Sequence, residues 1–302
     1  MTARLPLQPA SRPLPARHQR GFSLVELAVV LAIVAFTIGG MLMPLGAQRD
    51  IRARQDTEKQ LADAKELLIA FAITNQRLPC PASPTSNGVE SFCDSATANY
   101  PCAVAVPLQV RSHGHCSHPY NGFLPAATLG FTPIMTTGYA NDGWSGEAVN
   151  QLRYAITDVS YSPTTSVCGA TGTAVFPFTC EMGMKGTYMT LTTPDTTPDL
   201  QVCNSGGATV QNAGTTTAAC SAGNYLTNSA VAVIYSVGKT AGTAGRSTDE
   251  IHNANPMTTD ADTSTLDRVF VNAPPSANFD DQMMWISRYA LSGRMISAGR
   301  LP

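Results

Sequence analysis

The feature that most constrains this chain is an apolar run close to its start. Between Phe22 and Gln48 the only charged side chain is Glu26. About 20 consecutive apolar residues suffice to cross the hydrocarbon core of a bilayer as a helix, so the run predicts a transmembrane helix over 22–47. A lone carboxylate inside such a helix costs on the order of 3 kcal/mol to insert, and its presence indicates that Glu26 has a partner.

The residues on either side of the apolar run set its expected orientation. The first 21 residues carry four arginines and no acidic residue, whereas all eight cysteines lie beyond residue 79. Basic flanks stay in the cytoplasm. An even number of cysteines beyond a membrane helix fits an oxidising compartment such as the periplasm. We therefore expect a single-pass membrane protein whose C-terminal domain lies outside the cytoplasm.

The sequence GFSLVEL at residues 21–27 resembles the processing site of type IV prepilins and type II secretion pseudopilins. In that family a basic leader ends in Gly, the next residue is usually Phe, and a Glu stands fifth in the mature chain. Gly21, Phe22 and Glu26 occupy those three places. The resemblance implies that prepilin peptidase removes residues 1–21 and that Phe22 is then N-methylated. It also implies an inner-membrane location and three further partners, namely other pilin or pseudopilin subunits, an inner-membrane assembly platform and membrane lipid.

The chemistry of this segment agrees with the resemblance. Cleavage would leave a cationic amine on Phe22, one helical turn from the carboxylate of Glu26. In a filament, Glu26 of one subunit can meet the Phe22 amine of its neighbour inside an apolar bundle, where neither charge is stable alone. This pairing would set the axial stagger between subunits. The alternative is that the helix is only a membrane anchor and that Glu26 extends its carboxylate to the water at the edge of the bilayer.

Residues 48–77 are predicted to continue the same helix in amphipathic form. Within the apolar run, Pro44 removes one backbone hydrogen bond and is expected to kink the helix. Pro79 and Pro81 end it. Apolar residues after the run recur at spacings of three and four and form one stripe: Ile51, Leu61, Ala64, Leu68, Phe71 and Ala72.

The remaining residues, 78–302, are predicted to form a β-rich globular domain. Only 13% of the whole chain is charged, and Gly, Pro, Ser, Thr and Asn are plentiful after residue 80. Strands are expected at 152–156, 188–192, 230–237, 268–272 and 282–287, followed by a short amphipathic helix. The block 122–156 resembles a pseudopilin segment in which a turn containing Trp, here Trp144, packs against the long helix. The expected fold class is α+β and pilin-like, with the helix on an antiparallel sheet and long disulfide-tied loops.

The cysteines are expected to form disulfides rather than a redox or zinc site, because none is spaced CxxC. They are Cys80, Cys93, Cys102, Cys116, Cys168, Cys180, Cys203 and Cys220. Eight cysteines allow 105 pairings, and the simplest expectation joins neighbours: 80 with 93, 102 with 116, 168 with 180 and 203 with 220. Histidines 113, 115 and 118 surround Cys116, but their spacing fits no standard zinc pattern.

No catalytic motif stands out, so we expect neither enzymatic activity nor a cofactor. Ser236 and Lys239 match the SxxK pattern by letter, yet its companion motifs are missing. One loop, 238–251, resembles the calcium loop of the major type II secretion pseudopilin, and Asp249 and Glu250 match its acidic end. Lys239 and Thr240 stand where that pattern has another acidic residue, which argues against Ca²⁺. Calcium binding therefore remains an open alternative.

These features together predict a structural subunit of a type IV pilus or a type II secretion pseudopilus. At 302 residues the chain resembles a minor or accessory subunit more than an abundant one. The alternative is a membrane-anchored periplasmic binding or adhesion module that does not polymerise. The formal net charge of −2 leaves no basic surface for nucleic acid. Secretion, twitching, adhesion and DNA uptake systems share this N-terminus, so the sequence does not choose among them.

Overall fold

A computed structural model describes residues 21, 23–97, 102–105, 111–144, 148–160, 162, 168–169, 171–185, 197–207, 219–241, 247–253, 268–276 and 278–301, without the side chains at 40–45 and 148. Three predicted features lie outside the described residues: residues 1–20 of the leader, the residue Phe22, and the strand expected at 188–192. The chain divides into two compact units, Met1–Arg49 and Asp50–Pro302.

The long helix α1 spans Leu24–Asn75, 52 residues. It is assigned as helix without interruption at position 44, whose side chain is not described, so the kink at Pro44 stays a prediction. After Asn75, Gln76 has a φ of 54°, the left-handed conformation in which helices commonly end. Helix α1 thus covers both the predicted membrane segment and its amphipathic continuation.

The described residues also form a six-stranded sheet with the order β1-β2-β4-β3-β5, and β6 pairs with β4. Its strands are β1 (Gly122–Phe123), β2 (Arg153–Ile156), β3 (Leu200–Cys203), β4 (Tyr225–Ser236), β5 (Val269–Val271) and β6 (Gln282–Ser287). The helices besides α1 are α2 (Ala126–Leu129), α3 (Thr248–Asn253) and α4 (Arg288–Ser297). These elements confirm the predicted α+β, pilin-like fold.

The sheet is mixed, although we expected it to be antiparallel throughout. Strand β4 pairs antiparallel with β2, β3 and β6, whereas β5 runs parallel to β3. A parallel pair needs a long crossover between its strands. The 65 or so residues between β3 and β5, which include β4 and α3, provide one.

The core lies between the second half of α1 and one face of the sheet. Four residues of the predicted stripe are buried there, namely Leu61, Ala64, Leu68 and Ala72, against Tyr154, Ile156, Ala232, Ile234 and Ile286. Ile51 is instead 54% exposed, and among the described side chains of this helix the first buried one is Ala53. Phe71 is half-buried, and the guanidinium carbon of Arg77 lies 5.0 Å from its ring centroid.

The turn that contains Trp144 packs on α1, as the resemblance implied. The backbone N–H of Gly143 donates to Thr57 Oγ1 at 2.9 Å. A Cβ at position 143 would lie 2.3 Å from the carbonyl oxygen of Ala53, so only glycine allows this approach. The guanidinium of Arg54 lies 5.7 Å from the Trp144 ring centroid. The turn therefore ties β2, which follows it, to the helix.

All eight cysteines form disulfides, but two of the four expected pairings are wrong. The observed bonds are Cys80–Cys116, Cys93–Cys102, Cys168–Cys180 and Cys203–Cys220. The reason lies in the backbone pairing of the 80–116 region. A bridge joins Cys93 to Val104, and the N–H of Asp94 donates to the carbonyl of Ala103. This pairing brings Cys93 next to Cys102 and leaves Cys80 for Cys116.

The C-terminal end of α1 is held by a buried ion pair between Arg77 and Glu90. Two hydrogen bonds join the guanidinium to the carboxylate, at 2.7 and 2.6 Å. The side chains are only 6% and 9% exposed, respectively. The backbone N–H of Cys80 donates to the same carboxylate at 3.2 Å. This bidentate pair connects the end of the helix to the disulfide-tied region after it.

Candidate functional site

The predicted processing segment begins helix α1 with a reciprocal capping interaction. The backbone N–H of Ser23 donates to Glu26 Oε2 at 2.9 Å, and the N–H of Glu26 donates to Ser23 Oγ at 3.2 Å. The sequence S-x-x-E produces this capping box because each side chain satisfies a backbone donor that has no partner in the first turn. Glu26 therefore has a structural role within its own chain, besides any role between chains.

The cleavage position itself lies just outside this helix. Gly21 is exposed, and no heavy atom lies within 4 Å of a Cβ built on it. Phe22, the predicted site of methylation, falls outside the described residues. The backbone at Gly21, the described residue of the cleavage position, is therefore accessible to solvent and is followed by the capped start of α1.

The first part of α1 presents an apolar surface. Every described side chain from Ser23 to Gly39 is exposed, with Leu24 at 86% and Phe36 at 84%. A contiguous apolar surface of this size marks a site of contact with lipid or protein.

Among the residues that the structure describes, no helix combines the length and the hydropathy of a membrane span.

A second candidate site is a group of three buried carboxylates. Glu250, Asp280 and Asp281 each offer an oxygen, and these oxygens lie within 4.8 Å of one another. Burial raises the pKa of the Asp280 carboxyl, and the charge of Glu250 raises it further, against two hydrogen bonds from Thr240. Hard oxygen donors in such a group are the type that binds Ca²⁺.

Donors of the chain itself already bind these carboxylates. Thr240 Oγ1 donates to Asp280 Oδ1 or to Glu250 Oε1, at 3.0 and 3.2 Å. The backbone N–H of Asp280 donates to Glu250 Oε1 at 3.0 Å, and that of Ser247 donates to Oε2 at 3.2 Å. Ser247 and Glu250 form a second capping box, at the start of α3. The arrangement fits a closed hydrogen-bond network better than a calcium site, which needs six to eight oxygens turned to the ion.

The loop residues singled out in the sequence separate in the structure. Asp249 turns away from the carboxylate group and accepts hydrogen bonds from Ser205 Oγ at 2.6 Å and the N–H of Gly206 at 3.0 Å. Lys239 also points elsewhere, with its Nζ 2.9 Å from Asp50 Oδ2. Of the two predicted acidic ligands, only Glu250 therefore belongs to the group.

The histidines around Cys116 contact neighbouring groups of the chain. Cys116 is disulfide-bonded, and the described residues hold no group of three ligands here with atoms as close as those of the carboxylates. The ring of His115 stacks on Phe176 with centroids 4.2 Å apart. Burial lowers the pKa of His115 to about 4, against a hydrogen bond to the carbonyl of Ser95, so the ring is neutral at pH 7. Its Nε2 lies 3.7 Å from Asp158, too far for a hydrogen bond.

Comparison with known families points to the N-terminal segment. Residues 16–42 match the family model described as the prokaryotic N-terminal methylation motif. The chain carries a prepilin-type N-terminus. A search of curated proteins and a search of solved structures found no match. The motif supports a pilin- or pseudopilin-type protein that is processed at its N-terminus and anchored to the membrane there.

A prepilin-type N-terminus also implies its general partners, which are prepilin peptidase and pilin-type subunits. The matched range includes Gly21, Phe22 and Glu26 and extends through the exposed apolar part of α1. One functional detail was missed in the sequence, the capping role of Ser23. Its signal, a serine three residues before a glutamate at the start of an apolar run, was present.

Proposed function

We propose that this prepilin-type protein is a structural subunit of a type IV pilus or a type II secretion pseudopilus. Prepilin peptidase cleaves it between Gly21 and Phe22 at the inner membrane, and its N-terminal helix then joins a filament. The domain of residues 78–302 lies in the periplasm before assembly. The subunit needs no cofactor and performs no catalysis.

The observation that carries the proposal is Glu26, whose carboxylate takes part in a capping box at the start of the exposed apolar part of α1, within a processing motif. A helix of this kind needs apolar surroundings, and a filament of such helices supplies them. Within those surroundings the carboxylate needs a counter-charge, and the amine that cleavage creates on Phe22 of a neighbour is one.

The alternative is a membrane-anchored periplasmic binding or adhesion module that does not polymerise. The same exposed apolar helix would serve as an anchor in that case, with Glu26 acting only as a helix cap. The two functions differ in what they ask of the carboxylate. A filament subunit needs its charge, whereas an anchor needs only a stable start to the helix.

Two measurements test the proposal. Mass spectrometry of the protein from membranes should find a chain that begins at N-methylated Phe22, whereas an intact Met1 or a cut near Ala47 would contradict it. Glu26→Gln should prevent assembly into filaments while leaving the disulfide-bonded domain folded. Glu58→Gln changes an exposed glutamate farther along the same helix and is the matched control. Normal filaments with Glu26→Gln would overturn the role assigned to its charge, whereas unaltered protein that forms no filaments would favour the anchored module.

A further inference from the structure

Strand β2 begins with an arginine, Arg153, that is buried without a counter-charge. The residue is 7% exposed. Within the part of the chain that the structure describes, its Nε and Nη1 are enclosed and have no hydrogen-bond acceptor. Arg77 is similarly buried, but its guanidinium binds both carboxylate oxygens of Glu90. Because a buried guanidinium loses its hydration, one that lacks such a partner indicates a ligand.

Aromatic side chains flank Arg153 on both neighbouring strands. Phe123 of β1 and Tyr235 of β4 are its direct partners across the sheet, so the three side chains share one face. The guanidinium carbon of Arg153 lies 4.3 Å from the centroid of the Phe123 ring, a cation–π contact. A ring face attracts the cation, but it does not supply the planar pair of oxygens that the N–H groups of arginine bind.

The face of the sheet that carries Arg153 is the one turned away from the core beneath α1. Side chains alternate along a strand, and Tyr154, the next residue, lies in that core together with Leu61 of α1. Tyr235 belongs instead to a second buried cluster, which includes Phe270. The unpaired guanidinium is therefore separate from the packing that holds α1, so a substitution at position 153 leaves that packing in place.

The unpaired atoms of Arg153 define the chemistry of the ligand. Both are N–H donors on a cation, so the ligand is an acceptor with negative charge. A carboxylate supplies two oxygens in one plane and a single charge, which one arginine balances. A phosphate carries roughly −1.5 to −2 at pH 7 and would leave excess charge in a buried place. Burial also lowers the pKa of Arg153, with Tyr235 acting in the opposite direction, which agrees with a missing carboxylate.

We propose that Arg153 anchors a binding site for a small carboxylate on the face of the sheet turned away from α1. The N–H groups of Arg153 donate to the carboxylate oxygens, while the Phe123 ring holds the guanidinium. Because Arg153 is only 7% exposed, a small molecule reaches it more readily than an acidic side chain on the surface of a folded partner. The site goes beyond the proposed function, since it requires no assembly of subunits.

Thermal unfolding of the full chain in detergent, with the disulfides oxidised, tests the proposal. Sodium acetate is compared with sodium chloride at equal ionic strength. Acetate should raise the unfolding midpoint until the site saturates, by roughly 5–10 °C at 100 times its dissociation constant. Arg153→Met removes the charge but keeps an apolar side chain, and it should abolish this shift. Arg153→Lys keeps the charge but loses the planar pair of donors, and it should raise the dissociation constant about tenfold.

Arg300→Met is the matched control, because it makes the same substitution at an exposed arginine, and it should keep the full acetate shift. In chloride alone, Arg153→Met should unfold at no lower temperature than the unaltered chain, since it removes a buried charge that has no partner. A lower midpoint there would mean that Arg153 stabilises the fold without a ligand, and it would overturn the inference.

Three other results would also overturn the inference. The first is an unaltered chain that acetate does not stabilise relative to chloride. The second is an acetate shift that Arg153→Met retains, because it would reflect a general effect of the salt. The third is a larger shift with phosphate than with acetate at the same ionic strength, which would exclude a carboxylate as the preferred ligand. Each of these results leaves the proposed function standing, because Glu26→Gln tests filament assembly separately.

Discussion

The buried pair at the end of α1 allows a sharp test of what holds the domain together. Glu90→Gln removes the negative charge but keeps nearly the same shape, and it leaves the Arg77 guanidinium buried with no counter-charge. Both hydrogen bonds of the pair are short, and the arginine is 6% exposed. Loss of one partner of such a pair lowers the free energy of unfolding by about 3–5 kcal/mol, a large part of the 5–15 kcal/mol typical of a domain.

The matched control is the same Glu→Gln substitution in an arginine–glutamate pair on the surface. Arg294 and Glu66 also form a pair, but their side chains are 53% and 59% exposed. An exposed pair contributes about 0–1 kcal/mol because water and salt screen it, so Glu66→Gln should change the free energy of unfolding by no more than that. The comparison therefore isolates burial, since the residue types and the substitution are identical.

The assay is chemical denaturation of the full chain in detergent with the disulfides oxidised. The fluorescence of Trp144 and Trp285 reports unfolding, and linear extrapolation gives the free energy for each variant. The result that refutes the reasoning is a Glu90→Gln variant that loses no more stability than Glu66→Gln. It would mean that solvent reaches Arg77, or that the end of α1 is not held by this pair.

Three further predictions follow from the sites described above. His115 is neutral in the fold with a pKa of about 4, below the 6.5 of an unfolded chain. The free energy of unfolding should therefore lose about 3 kcal/mol as pH drops from 6.5 to 4, because the unfolded chain takes up a proton that the fold does not. Denaturation at several pH values should show that His115→Gln lacks this part of the pH dependence. Ser23→Ala should destabilise the start of α1 by about 1 kcal/mol, and faster amide exchange at residues 24–27 would show it, whereas Ser23→Thr should preserve the cap. Calcium should leave the midpoint of thermal unfolding unchanged, because backbone and side-chain donors already bind the carboxylates of Glu250, Asp280 and Asp281. A rise of this midpoint with calcium that Glu250→Gln abolishes would contradict the prediction.

Sequence reasoning located the elements whose pattern is local. Residues 230–237 form a continuous apolar run, which is typical of a strand with neighbours on both edges, and β4 is that strand. The 52-residue helix follows from the apolar run and the stripe after it. The capping box at Ser23 is equally local, so the same reasoning could have found it.

Features that depend on backbone pairing between distant residues could not be predicted from the sequence. The partner of Cys80 depends on the bridge between Phe92 and Cys116 and on the neighbouring bridge at Cys93, and neither leaves a pattern in the sequence. Asp249 and Glu250 were taken together because they are adjacent. On helix α3 adjacent side chains point about 100° apart, so one reaches the buried carboxylates and the other reaches Ser205.

The position of β4 in the chain has a consequence for the order of folding. The partner of β2 is β4, roughly 80 residues later, and β6 comes later still, so the sheet has a high contact order. The bonds Cys93–Cys102 and Cys80–Cys116 close over sequence separations of only 9 and 36 residues. In the proposed export of the domain, these cysteines would reach the periplasm well before residue 225. We therefore expect these two disulfides to form in a chain that still lacks its sheet, so that oxidation near the end of α1 starts the folding of the domain and β4 completes it.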